Sequence, residues 1–140
     1  MRKIFALITV LLVIACTVRA QCNTKTRFNA AKTEFIKQSG DTAVKEDPVV
    51  LTEDTLNVDV VIGNGRDELK GTVTNYACNF TDPDNGMISF KSEVTDKSGD
   101  VRHATFTINT KDGKTTIMVE AEEEQSKIRL SVDSSEVVNN

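Results

Sequence analysis

An aspartate-rich turn is the first group of residues in this sequence whose types could do chemistry. The segment Asp82-Pro83-Asp84-Asn85-Gly86 offers carboxylate and amide oxygens of the kind that bind calcium, and Glu93 stands twelfth when Asp82 is counted as first. A calcium loop of the EF-hand type needs glycine at the sixth position and a helix on each side. Here the glycine is fifth, and the residues after it alternate as in a strand. The pattern therefore predicts a hairpin turn, and we expect no metal site.

The single histidine, His103, is the next candidate, as a general base. Period-two alternation places it on the polar side of a predicted strand, together with Thr105 and Thr107. A catalytic base needs a nucleophile and an orienting carboxylate beside it, and the sequence spacing nominates neither. We therefore predict a protein that is not an enzyme, with no catalytic residue and no cofactor.

Four glutamates near residue 122 form a further charged feature: Glu120, Glu122, Glu123 and Glu124. Such a cluster could attract a cation or a basic protein. Consecutive carboxylates at a turn are more often solvated, and they protect the end of a strand from aggregation. We expect a solvated turn here.

The first twenty residues, MRKIFALITVLLVIACTVRA, have the pattern of a secretory signal peptide. Arg2 and Lys3 precede an uninterrupted apolar run over residues 4–15, which is too short for a membrane span. The pattern predicts an exported protein, either secreted or periplasmic. The folded part of the chain would then occupy residues 21–140.

Two alternatives remain for the end of this leader. Val18-Arg19-Ala20 suits a signal peptidase that cuts before Gln21, and we favour this interpretation. Val13-Ile14-Ala15-Cys16 instead matches, imperfectly, a bacterial lipobox in which Cys16 is lipidated. The second alternative predicts a membrane-anchored lipoprotein.

The cysteine count agrees with either alternative. Of the three cysteines, Cys16 is removed with the leader or capped by lipid, which leaves Cys22 and Cys78 as a pair. Two lone cysteines outside the cytoplasm favour a structural disulfide. A redox-active or metal-binding thiol pair would use a C-x-x-C spacing, which these residues lack.

Charge and composition exclude several kinds of partner. Three of the 17 basic residues lie in the leader, which leaves 14 against 21 acidic residues and a net charge of about −7. An acidic surface disfavours nucleic acid and anionic membranes, so a lipid anchor at Cys16 would be the only membrane contact. With no tryptophan and one tyrosine, an aromatic platform for sugars is not expected either.

The mature chain begins with a helical pattern. Asn23 suits an N-cap, and Gly40 suits a C-terminal stop. An apolar stripe with the spacing i, i+3, i+7 and i+8 is formed by Phe28, Ala31, Phe35 and Ile36. We predict one amphipathic helix over about residues 23–39 that packs on the apolar face of a sheet.

From Thr55 onwards the period changes to two. Apolar and polar residues alternate in segments of strand length, and turn pairs such as Asn64-Gly65 and Asp112-Gly113 separate these segments. About six strands are predicted between residues 55 and 133, followed by a frayed tail over residues 134–140. The predicted fold is a single domain of α+β class, dominated by β. It consists of one helix on a mainly antiparallel meander sheet, open or barrel-like.

The polar side of the predicted sheet is rich in threonine, and we choose it as the candidate binding face. Its members are Thr72, Thr74, Tyr76, His103, Thr105, Thr107, Thr116 and Met118. Threonine is also simply a good strand residue, so the composition alone does not establish binding.

Three functions compete: a binding module, a carrier of a small apolar ligand, and a hydrolytic enzyme. Each strand supplies about three inward apolar residues and the helix adds two phenylalanines and an isoleucine, so the core fills itself. A carrier would need a vacant pocket of several hundred Å³. We therefore predict a binding module whose partner is another protein or an extracellular polymer. A carrier with a lipocalin-like or helix-covered pocket is the alternative, and the oligomeric state is left open.

Overall fold

The protein is built entirely from strands and turns. The computed structural model describes residues 22–139, and no helix is present in that range. In chain order the strands are β1 Thr26–Ala30, β2 Thr33–Ile36, β3 Thr42–Lys45, β4 Val49–Glu53, β5 Asn57–Ile62, β6 Asp67–Asp82, β7 Asn85–Thr95, β8 Val101–Lys111, β9 Lys114–Ala121, β10 Lys127–Ser131 and β11 Ser134–Val137. All eleven form one antiparallel sheet that curls into a half-barrel. Nothing helical within residues 22–139 is long and apolar enough to cross a membrane.

The helix predicted over residues 23–39 is wrong, and with it the α+β class. Two short strands, β1 and β2, occupy that segment and bend at Ala31-Lys32. The helical stripe fails because Ala31 is exposed, whereas Phe28, Ala30 and Thr33 are at most 7% exposed. Both strands are paired on two sides, β1 with β4 and β11, and β2 with β3 and β10. These long-range ladders override the local helical preference.

The strands predicted between residues 55 and 133 are confirmed as β5 to β10. They lie side by side in chain order, from β4 through β10, as an antiparallel meander. Each connection is a short turn of the kind that joins sequential antiparallel strands. The meander therefore follows from the alternating pattern that marks each strand in the sequence.

Two bends bring the ends of this meander together. β1 pairs with β4 at one end and β2 pairs with β10 at the other, yet only Ala31 and Lys32 separate them. That connection reaches about 11 Å at most, so the sheet must curl. The second bend lies between β10 and β11, next to the first. There the Ala31 N–H donates to the Asp133 carboxylate over 2.7 Å. The tail expected to be frayed thus forms β11, which pairs with β1.

The inward side of the half-barrel holds a filled apolar core. Its buried members are Phe28, Ala30, Val49, Leu51, Val58, Val60, Ile88, Phe90, Val94, Ala104, Phe106, Ile108, Ile117 and Leu130. At its centre Phe90 and Phe106 stack with ring centroids 4.9 Å apart. Because the polar residues of the same strands face outwards, the candidate binding face is rigidly supported from behind.

Candidate functional sites

The outward face of β6 to β9 gathers seven of the eight predicted face residues. They are Thr72, Thr74, His103, Thr105, Thr107, Thr116 and Met118, and we call them the outward face. The ladders place Thr74 beside Lys91 and Lys91 beside Thr105, while Thr107 lies between Ser89 and Met118. Four adjacent strands therefore present these side chains as one continuous surface.

Tyr76, the eighth predicted residue, lies on the other side of the sheet. The β6–β7 ladder shifts between Thr74 and Ala77, where Asn75 has a φ of 51°. This bulge inserts one residue and reverses the alternation, which turns Tyr76 inwards. Its ring stacks on Phe90 at 6.4 Å between centroids. The prediction that placed Tyr76 on the face is therefore corrected.

Met87 belongs to the same surface and was not predicted. It is 46% exposed on β7 and pairs with Asn109, which in turn pairs with Thr116. Met87 is two residues from Ser89 on the same strand, so the alternation of the strand could have placed both on the outward side from the sequence alone. With Met118 it adds polarizable apolar area to a surface otherwise made of hydroxyls and charges.

His103 lies at the edge of this surface between two carboxylates. Its Nδ1 is 2.7 Å from Oε1 of Glu123, and its Nε2 is 3.7 Å from Oε2 of Glu93. The backbone N–H of His103 also donates to the Glu123 carboxylate over 3.0 Å. The hydrogen bond to Glu123 raises the pKa of His103, and the same bond lowers the pKa of Glu123.

The turn that carries Glu122, Glu123 and Glu124 is therefore folded onto the start of β8. Glu122 pairs with Lys91 over 3.6 Å and Glu124 pairs with Arg102 over 3.1 Å. Both partners of each pair are about half exposed, so each ion pair contributes little to stability. No nucleophilic side chain is bonded to His103 among residues 22–139. Within this cluster the imidazole ring is held by its hydrogen bond to Glu123.

We expect His103 to titrate above its ordinary pKa in an NMR pH titration of its ring protons. Glu123→Gln should lower this pKa, because it removes the charge that the imidazolium faces at 2.7 Å. Glu93→Gln is the matched control and should act more weakly, since its oxygen is 3.7 Å away. Equal effects of the two variants, or none, would contradict the assignment.

The aspartate-rich turn is the hairpin connection between β6 and β7. Oδ1 of Asp82 accepts the backbone N–H of Asp84 over 2.8 Å, and the Asn85 amide donates to the same atom over 3.1 Å. These bonds use the carboxylate to close the turn. No cluster of three or more histidine, cysteine, aspartate or glutamate side chains in the range 22–139 could hold a metal ion.

The predicted disulfide is confirmed between Cys22 and Cys78. The two Cα atoms are 5.8 Å apart, and the bond ties the segment before β1 to the middle of β6. Its presence is consistent with an oxidising compartment. Cys16 and the two candidate cleavage sites lie outside the described residues.

A buried carboxyl group on β4 was not predicted from the sequence. Glu53 is 1% exposed, and neither of its carboxylate oxygens has a hydrogen-bond partner in the described chain. Burial, and then the charge of Asp54, raise the pKa of Glu53 to about 7. The hydroxyl of Tyr76 is likewise buried without a partner there, and burial followed by the charge of Glu53 raises its pKa.

The second missed feature is a cavity of about 250 Å³ at the end of the half-barrel, which we call the end cavity. It opens where the β6–β7 and β8–β9 hairpins turn and where β11 ends. Its apolar lining includes Phe28, Phe80, Ile88, Ile108 and Val137. The alternation of residues within single strands does not predict this cavity, because it forms only where segments distant in the sequence meet.

Together these features define a small, disulfide-linked, antiparallel β protein with a polar outward face and a shallow end cavity. Comparison with protein-family models, curated proteins and solved structures finds no match to this chain.

Proposed function

We propose that the chain is an exported, non-enzymatic binding protein that contacts another protein through the outward face. The observation that supports this most is the placement of seven predicted residues on four adjacent strands as one surface. The Cys22–Cys78 disulfide supports export, since such bonds persist in oxidising compartments.

A protein partner fits this surface better than a sugar polymer. The only tyrosine, Tyr76, points into the core, and the sequence contains no tryptophan. Sugar rings usually stack on such aromatic side chains. Met87 and Met118 instead offer adaptable apolar contacts, surrounded by hydroxyls and charges that would form a polar rim.

The filled core supports a surface site over a central one. Phe90, Phe106 and Ile108 are at most 2% exposed and occupy the middle of the half-barrel. A carrier of the lipocalin kind keeps that space open for its ligand. Binding through the outside of the sheet requires no such space.

Photo-cross-linking from Thr107 in the cells that make the protein tests this proposal. A benzophenone side chain at Thr107 should give an adduct of one defined mass, whereas the same group at Thr52, outward on β4, should not. Met118→Lys should abolish the adduct and leave the unfolding curve unchanged, because the side chain at 118 faces outwards. No adduct, the same adduct from both positions, or an adduct insensitive to Met118→Lys would overturn the proposal.

A second candidate, the carrier of a small ligand, is favoured by one specific observation. The end cavity has an apolar floor, and its volume of about 250 Å³ lies just below the range of pockets that bind drug-sized ligands. It would accept a compact molecule and could act beside the outward face. Native mass spectrometry of protein purified from its source would detect such a ligand, and protein that is always empty would contradict the carrier.

A further inference from the structure

We infer that the end cavity binds a small organic cation, with a compact apolar body and a single ammonium group. This inference rests on the carrier function and adds the chemical class of the ligand. It depends on the shape of the cavity, on the charges that line it and on the hydrogen-bonding groups at its rim.

The apolar body is required by the floor of the cavity. Ile88 and Ile108 are 2% and 0% exposed, so they present a closed and rigid surface. Phe28 and Phe80 also contribute to the lining. A ligand above this floor removes the apolar surface of the more exposed lining residues, Phe80 and Val137, from water, at about 25 cal/mol per Å². Because the volume is only about 250 Å³, the ligand must be compact, such as a single saturated ring.

The positive charge is required by the polar part of the lining. Two carboxylates, Asp84 and Glu136, line the cavity, and no lysine, arginine or histidine does. Glu136 is already paired with Arg27 over 3.1 Å. The Asp84 carboxylate forms no ion pair with the described residues, and the hydrogen bonds of Asp84 use its backbone N–H and C=O groups. An anionic ligand would face both carboxylates, whereas a cation would find one that is available.

The rim gives the ammonium group room and further acceptors. Asp84 lies against Gly113, where a Cβ atom would come 3.5 Å from Oδ1 of Asp84, so the missing side chain keeps the approach open. The hydroxyls of Thr110 and Thr115, both in the lining, lie 2.9 Å apart and bond to each other. A hydroxyl that donates to its neighbour can still accept a bond from an ammonium N–H. Asp84 and these hydroxyls all line the cavity, so together they offer several acceptors to a group with three donors.

Three probes of one shape separate charge from hydrophobic binding. Cyclohexylmethylamine, cyclohexylmethanol and cyclohexanecarboxylate are titrated into the disulfide-bonded protein, and affinity is read from NMR shifts of the Ile88 and Ile108 methyl groups. We expect the amine to bind at least about tenfold more tightly than the alcohol, and the carboxylate not to bind.

Substitutions in the lining test whether the preference for the amine comes from Asp84. Asp84→Asn should weaken amine binding about tenfold and leave alcohol binding unchanged. Asp112→Asn, the same change in a neighbouring turn outside the lining, should leave the binding of both probes unchanged. Val137→Trp should block all probes, because residue 137 is 52% exposed and stands in the lining. If the alcohol binds as tightly as the amine and Asp84→Asn has no effect, the cation inference is overturned and the carrier function stands. If no probe shifts the isoleucine methyl groups, both are overturned.

Discussion

Glu53→Gln is expected to raise the free energy of unfolding at pH 8 by about 3 kcal/mol and to leave it nearly unchanged at pH 4. In the folded protein the carboxyl group is buried without a hydrogen-bond partner among residues 22–139, and its pKa is raised from 4.5 to about 7. In the unfolded chain it loses its proton near pH 4.5. Between these values the folded state holds one more proton than the unfolded state. Stability therefore falls as the pH rises through this window.

Denaturant unfolding of the wild type and the variant at pH 4, 6 and 8 measures this effect. The wild type should lose stability from about pH 5 upwards and level off above the folded pKa, whereas Glu53→Gln should remove most of that loss. Glu120→Gln, an exposed change of the same charge, is the control for the overall acidity of the protein and should change the profile little. A wild-type profile that is flat between pH 5 and 8 would contradict the buried, unpartnered carboxyl group.

The alternation of Val49, Leu51 and Glu53 on one side of β4 could have revealed this carboxyl group. All three face the core and are at most 4% exposed. The sequence instead predicts a connector over residues 41–53 that contains Pro48, with at most a short edge strand at Val49–Leu51, so it leaves Glu53 outside any strand. A charge at an inward position is informative only once the strand is known to continue through it.

The strands that the sequence predicted well are those with one apolar and one polar side over many residues. In β8, Ala104, Phe106 and Ile108 alternate with polar residues along eleven positions, so the period is clear. β2 and β11 are four residues long and offer too few alternations to define a period. The residues of β11 are all exposed, and pairing with β1 alone determines its course. Such elements follow from contacts between distant segments, which local pattern does not encode.

The candidate face shows how one backbone irregularity limits such prediction. Seven of its residues were placed correctly by counting in twos, and Tyr76 was not, because the bulge at Asn75 adds one residue to β6. Asparagine tolerates a positive φ better than most residues, which is the only hint that the sequence gives. Its consequence is that the one tyrosine packs against the core residue Phe90 and does not lie on the outward face.

Replacing both Cys22 and Cys78 by serine is expected to lower the free energy of unfolding by about 4 kcal/mol. The bond closes a loop with a sequence separation of 56. In the chain-entropy model, losing the bond raises the conformational entropy of the unfolded chain, and this stabilises the unfolded state by that amount. The bond also holds the segment before β1 against β6. Without it, this segment should exchange its amide protons faster, while the core of β7 and β8 keeps its protection.

Reduction of the wild type provides the matched control for the double variant. Oxidised wild-type protein should gain two daltons on reduction, and its unfolding curve should then coincide with that of the Cys22→Ser/Cys78→Ser protein. If reduction and the double substitution both leave the curve in place, the cross-link is not formed in the native protein. The two cysteines would then give no support for an oxidising compartment.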